Sequence, residues 1–236
     1  MADIAGAVLL QGGGEMQPAC RAMDLELVRE APDGDVVVVL GAATPGVDHA
    51  RAASRARRYY ADLVRRRVVV TPHPEVDLEE CLAAVAGAGL VVLPGGSPSR
   101  LLDAFRADGG RLAGALTDAH RSGVALSGAS AGAMVLCERT VLPDRRTGAT
   151  GEPTVAVGLG LVPGLALVHD DGRDRRGWRD PDDPDGLRWG LPEAGGVLVH
   201  EGSVRAVGQG GPRVLLGGRS RVLAHRSQPL EEVVAA

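Results

Sequence analysis

The sequence predicts an α/β fold: a mostly parallel, doubly wound sheet that closes on C-terminal antiparallel β-hairpins. Two observations carry this. Through roughly the first two thirds, short Val/Leu-rich runs alternate with Ala/Arg/Glu-rich helical stretches, and the runs are apolar throughout, as strands covered on both faces are. After Gly195 the rhythm changes to strands with no helix between them, "GGVLVHEGSVRAVGQGGPRVLL", which reads as hairpins at a sheet edge.

Taken in order, apolar runs place strands at 5–10, 36–40, 67–70, 90–93, 124–127 and 165–168. The stretches between them predict helices at 18–30, 48–66, 78–86, 98–107, 111–121 and 131–137. Helix 48–66 carries many arginines, which read as a solvated face and receive no site. The stretch "HDDGRDRRGWRDPDDPDGLRW" has almost no aliphatic residue, so it is expected to lie outside the core as a surface loop, either filler or a cover over a site.

With 236 residues, 44% of them hydrophobic, and neither internal repeat nor linker, the chain is expected to form a single catalytic domain over 1–236. A net charge of −4 gives no basic field to attract nucleic acid or an anionic membrane. The expected partner is a small peptide or amide substrate, on a monomer or homodimer. Cys20, Cys81 and Cys137 are odd in number and lack metal-like spacing, so they are read as packing residues in a reducing compartment. The N-terminal "MADIAGAVLLQGGGE" has no basic n-region and too short an apolar run for a signal peptide or span, so a cytoplasmic location is expected. "GGGEMQ" lacks the third glycine of a dinucleotide fingerprint and "GAATPG" lacks the Lys-Ser/Thr of a phosphate loop. No metal site or cofactor is expected.

The chemistry concentrates at "GVALSGASAGAMVLCE". A parallel strand that ends in a sharp turn and restarts as a helix presents one side chain at the carboxyl edge of the sheet, here Ser130. Such a turn strains the backbone and crowds strand against helix, so its flanks must be small; Gly128, Ala129, Ala131, Gly132 and Ala133 meet that demand. The Ala131 amide would open the helix and favour an oxyanion, with a second donor from Gly95 or Gly96 in "LPGGSPS". Of the six histidines, His169 ends the apolar run "GLALVH" and should reach the same edge, whereas His49, His73, His120, His200 and His225 lie in helices, turns or hairpins. An acid must orient the base: Glu193 in "WGLPEAGG" is chosen, with Glu138 and Asp170 as runners-up.

These residues resemble the cyanophycinase and aspartyl dipeptidase (dipeptidase E) family of serine peptidases, whose fold is similar to class I glutamine amidotransferases. The matching pieces run nearly end to end: "GGGE", "VVVVLGAAT", "LPGG", "GASAGA", "VGLGLVPG" followed by His169, and "GLPEAGGVLV". The resemblance implies a nucleophile at Ser130, a base at His169, an acid at Glu193, and oxyanion amides from Gly95, Gly96 and Ala131. It also implies cleavage next to aspartyl residues, with Arg173 and Arg175 holding a substrate carboxylate; salt bridging within the Asp/Arg-rich loop is the competing reading. Cyanophycinases carry Asp-Gln before the histidine and after the paired glycines. Here those positions are Leu167-Val168 and Ser97-Pro98, so Ser97 takes the implied substrate position and cyanophycin is not the expected substrate. The "GGSP" turn and the "AGAMVLCE" helix look closer to a glutamine amidotransferase-like branch, but serine in place of cysteine at 130 argues against glutamine hydrolysis.

The leading expectation is therefore a serine-type amide hydrolase that works through an acyl-enzyme. An esterase would need Ser130 near His200 or His225. A binding or regulatory protein on the same fold would keep the pocket without turnover.

Overall fold

A sheet covered on both faces can hold only apolar strands, and the computed structural model, which describes residues 6–40, 49–142, 154–170, 183 and 185–235, is built around one. Its first half runs β1 (Val8–Gln11), α1 (Arg21–Glu30, entered through a 3-10 turn at Pro18–Cys20), β2 (Asp35–Val38), α2 (His49–Leu63), β3 (Val68–Val70), α3 (Leu78–Ala86) and β4 (Ala88–Leu93). There follow α4 (Pro98–Arg106), α5 (Arg111–Arg121), β5 (Ala125–Ala129), α6 (Ala131–Leu136), β6 (Arg139–Leu142), β7 (Thr154–Val157) and β8 (Leu165–Val168). The C-terminal part is β9 (Arg188–Leu191), β10 (Gly195–His200), β11 (Ser203–Gly208), β12 (Arg213–Leu216), β13 (Arg219–Val222), β14 (Gln228–Pro229) and α7 (Leu230–Ala235).

The main sheet has the order β14-β11-β10-β1-β5-β4-β2-β3. From β1 to β3 all neighbours are parallel; β10 joins β1 antiparallel and carries β11 and β14. Alternate side chains of each strand enter opposite cores. Leu9, Val36, Val38 and Val92 meet α1 and α2 through Met23, Leu27, Ala56 and Tyr60. Leu10, Val37, Val91 and Leu126 meet the helices of the other face through Val85, Leu101, Phe105, Leu116 and Met134.

The predicted mostly parallel sheet with antiparallel C-terminal strands is present, with three corrections. Residues 165–168 do form a strand, but β8 lies in a second sheet of order β13-β12-β9-β8, parallel to β9, and not in the main sheet. The C-terminal hairpins divide accordingly: β10–β11 extends the main sheet, while β12–β13 pairs with β9. The Asp/Arg-rich stretch was expected to stay out of the core, yet its last two residues, Arg188 and Trp189, open β9, where Trp189 is fully buried and donates its ring N–H to the Pro163 carbonyl at 2.8 Å. A buried indole with a satisfied N–H is a good core residue, and local charge density alone does not reveal it.

Two features set the end of the sheet where β1 and β5 meet. Gly128 and Gly132 let α6 lie directly on β4 and β5: a Cβ on Gly132 would sit 2.0 Å from the Leu93 carbonyl oxygen, and one on Gly128 would sit 2.5 Å from the Gly132 carbonyl carbon. Behind β1, a buried polar chain runs from Tyr59 OH to Asp24 Oδ2 at 2.5 Å, and from Gln11 Nε2 to Asp24 Oδ1 at 2.6 Å and Ser127 Oγ at 3.0 Å. Tyr59 lies on the arginine-rich helix α2, which is thus more than a solvated face.

Burial pushes the Asp24 carboxyl up from 3.8 to about 6, outweighing the hydrogen bonds from Tyr59 and Gln11 that favour its charged form. The folded state therefore holds this proton more tightly than the unfolded chain. Its contribution to stability is complete below about pH 4 and is lost as pH rises through about 6. Asp24→Asn mimics the protonated form, and the buried, unpartnered Gln11 Oε1 can turn to accept from it. Melting curves from pH 4 to 8 are expected to show the variant a few degrees more stable than the native chain at pH 8, with the gap closing towards pH 4. Gly132→Ala must push α6 off the sheet, and chemical denaturation is expected to show a loss of about 2–3 kcal/mol.

Candidate active site

Ser130 occupies the single residue between β5 and α6. Its φ of +48° and ψ of −112° form a conformation that a side-chain-bearing residue adopts only when its surroundings impose it. They do so here. The Ser130 N–H donates to the Gln11 carbonyl at the end of β1 at 3.0 Å, and its own carbonyl accepts from Met134 N–H in α6 at 3.1 Å. The Oγ projects from the carboxyl edge of the sheet and meets His169 Nε2 at 3.0 Å.

His169 follows β8 and also has a left-handed backbone, φ +53°. Its ring Nδ1 lies 3.0 Å from Glu193 Oε1. With Nδ1–H donated to the carboxylate, Nε2 is left as an acceptor for the serine hydroxyl. Glu193 sits in the turn between β9 and β10, next to Ala194 at φ +54°. Serine, histidine and glutamate thus come from two sheets and the turn that joins them.

The join is made at Gly12–Gly13, directly after β1. The Gly12 carbonyl accepts His169 N–H at 2.9 Å, Gly12 N–H donates to the Gly195 carbonyl at 3.0 Å, and the Gly13 carbonyl accepts Ala194 N–H at 3.0 Å. A Cβ on Gly12 would fall 2.2 Å from the carbonyl oxygens of Leu191 and Pro192; one on Gly13 would fall 2.3 Å from His169 Cε1. Next to the histidine, Asp170 accepts from Arg213 of β12 through Nε at 3.0 Å and Nη2 at 2.7 Å, a fork that ties β12 to the residue after His169.

The paired-glycine turn after β4 stands beside the serine: a Cβ on Gly95 would be 3.2 Å from Ser130 Cβ. Gly95 was expected to offer its amide to an oxyanion, but that N–H donates to Glu15 Oε1 at 2.9 Å. Among the described residues, the amides of Gly96 and Ala131 have no hydrogen-bond partner. Ser97 caps α4, its Oγ accepting from Arg100 N–H at 3.4 Å. Arg173 and Arg175 lie outside the described residues.

Of the runner-up acids, Asp170 is bound to Arg213 and Glu138 accepts from Gly164 N–H at 3.4 Å. The histidine that meets Ser130 is His169, not the His200 or His225 that the esterase reading requires; His200 pairs instead with Glu30 at 3.3 Å. The three cysteines are free and buried, and burial pushes the Cys20 thiol up to about 11, ahead of the charge on Asp24, so it is protonated and unreactive at neutral pH. Among the described residues, no three His, Cys, Asp or Glu side chains are grouped to hold a metal ion, and no helix is long and apolar enough to cross a membrane. Sequence reasoning assigned no part to Glu15, Gln11, Arg55 or Arg213. The glycine run directly after the first strand was the available signal, read as an incomplete nucleotide motif and as a matching piece of the family, but with no structural role assigned to its residues.

A family model described as Peptidase family S51 matches residues 9–178. No curated protein matches the chain significantly. Among solved structures, a peptidase from an acI-B1 Actinobacterium is similar at TM-score 0.77 and 20% identity, covering 97% of this chain and 98% of its own. A putative Peptidase E protein from Listeria monocytogenes EGD-e is similar at TM-score 0.62 and 12% identity, covering 87% of this chain and 99% of its own. At these identities the two structures speak for the fold. The family match extends over well more than half the chain, from the first strand past the serine and the histidine, and so the protein belongs to peptidase family S51 and is a serine-type peptidase.

Proposed function

We propose that this peptidase cleaves an amide bond next to an aspartyl or other carboxylate-bearing residue, through an acyl-enzyme on Ser130. The observation that carries the reading is the hydrogen-bonded chain from Ser130 Oγ through His169 to Glu193, with both links at 3.0 Å. Ser130 Oγ attacks the carbonyl carbon and passes its proton to His169 Nε2. The carbonyl π pair moves to oxygen, where the amides of Ala131 and the paired-glycine turn are the donors proposed to receive it. Collapse expels the amine, which takes the proton from Nε2 and leaves an acyl group on Ser130. Water, deprotonated by the same nitrogen, releases the acid and restores the serine hydroxyl. Glu193 keeps the imidazole in the productive tautomer and stabilises its cationic form. Arg173 and Arg175 supply guanidinium forks for the substrate carboxylate, and Ser97 flanks the turn on the substrate side.

Release of free amine from a panel of α- and β-aspartyl dipeptides tests the reading. Native protein is expected to cleave at least one member and Ser130→Ala none; equal activity in the two would sink it. Glu193→Gln replaces an acceptor with a group that can also donate to Nδ1 and trap the wrong tautomer, so kcat is expected to fall by roughly 10²–10⁴. Its melting temperature should hold, because the Glu193 side chain is 70% exposed. Gly13→Ala places a methyl group against the His169 ring, and steady-state kinetics are expected to show at least a ~100-fold loss in kcat from the displaced base.

A further inference from the structure

The mechanism leaves one charged group unused beside the nucleophile. Glu15 comes from the loop after β1, and its Oε1 takes the N–H of Gly95, a residue on which a Cβ would lie 3.2 Å from Ser130 Cβ. A carboxylate at this point poses a problem. It consumes a donor that could have served an oxyanion, and its charge opposes an anion developing nearby.

The surroundings show that the contact is built. The Glu15 and Met16 carbonyls accept from Arg55 Nη2 of α2 at 3.0 and 3.5 Å, and the Gly14 carbonyl accepts from Cys20 Sγ at 3.1 Å. Met16 is held at φ +57°. The same short loop sets His169 through Gly12 and Gly13, and Ala194, beside Glu193, through Gly13. The paired-glycine turn opposite has no side chain of its own at 95 or 96 to fix it. Two consecutive glycines leave peptide orientation poorly determined, whereas an oxyanion donor must point one way before the reaction begins.

We propose that Glu15 is a positioning residue. By accepting the Gly95 N–H it holds the 93–97 turn in one orientation, so that the next amide, that of Gly96, faces the oxyanion together with Ala131 N–H. This rests on the serine-hydrolase reading above. In it, Glu15 touches neither substrate nor reacting atoms, and what matters is its acceptor oxygen at this reach, not its charge.

Phosphonylation of Ser130 by an alkyl fluorophosphonate tests the proposal, because the serine oxygen displaces fluoride from phosphorus while the phosphoryl oxygen occupies the oxyanion position. Labelling rates and melting temperatures are compared for the native chain, Ser130→Ala, Glu15→Ala, Glu15→Asp and Glu15→Gln. Native protein is expected to label and Ser130→Ala not. Glu15→Ala, which lacks the acceptor, and Glu15→Asp, which falls one methylene short, are expected to label roughly 10–100-fold more slowly. Glu15→Gln keeps an acceptor oxygen at the right reach and is expected to stay within about threefold of native or to exceed it, a rescue that a general loss of stability would not produce. Glu15→Ala and Glu15→Asp labelling at the native rate would overturn the proposal. Faster labelling of both would also overturn it and identify the contact as a plug. Glu15→Gln as slow as Glu15→Ala would overturn it by making charge the requirement. If the native chain labels with neither the fluorophosphonate nor the smaller phenylmethylsulfonyl fluoride, the hydrolase reading itself fails and this inference falls with it.

Discussion

The site depends on how closely four backbone segments approach one another at Gly12–Gly13. The end of β1, the residue after β8, the turn carrying Glu193 and the start of β10 all meet there, with backbone hydrogen bonds near 3 Å. A methyl group at either glycine would lie closer than 2.5 Å to a carbonyl oxygen or to the imidazole ring. Atoms cannot interpenetrate, so a side chain here would separate the sheet that carries the serine from the sheet that carries the histidine. Absence of a side chain is thus what permits the presence of the site.

Strain gathers around the same point. Ser130, His169 and Ala194 all have positive φ without being glycine, and each is the residue where a strand ends or a turn delivers a functional group. Backbone strain of this kind costs about 1–3 kcal/mol per residue and persists only where packing over-determines it. The over-determination is visible. Gln11 holds the Ser130 amide through its carbonyl, while its side chain joins the buried Asp24–Tyr59 chain; Gly12 holds the His169 amide; Arg213 grips Asp170 next door. The charged and polar residues behind the site act as struts for a geometry that local preference would abandon.

An exposed glutamate completes the hydrogen-bonded chain to the histidine. In the mechanism proposed above, Glu193 would need only to accept one N–H and to stabilise a transient cation, and a solvated carboxylate can do this without the cost of burying a charge. Asp24, by contrast, is buried and lies within the support, where its raised pKa reflects desolvation. The two acids thus differ in setting: Glu193 is exposed beside the His169 ring, and Asp24 is buried behind β1.

Much of this was legible from the chain alone. Apolar runs buried on both sides can only be strands of a covered sheet, so β1 to β5 and the helices between them followed from composition and order. "GASAGA" between a strand and a helix marked Ser130 because small flanks are a local steric requirement, and a histidine at the end of an apolar run could be picked out the same way. What tertiary structure decided was everything that depends on residues distant in sequence. The β8 pattern reads the same in either sheet, since pairing partners are not encoded in a strand's own residues. Trp189 is buried because β8 and β12 flank it in the second sheet, despite its charged neighbours. Glu15 reaches Gly95 across 80 residues, and Gly13 gives way to an imidazole 156 positions on, contacts that exist only once the chain has closed. Periodicity and small-residue turns are local physics and can be read along a line; close approach between segments is a property of the folded volume.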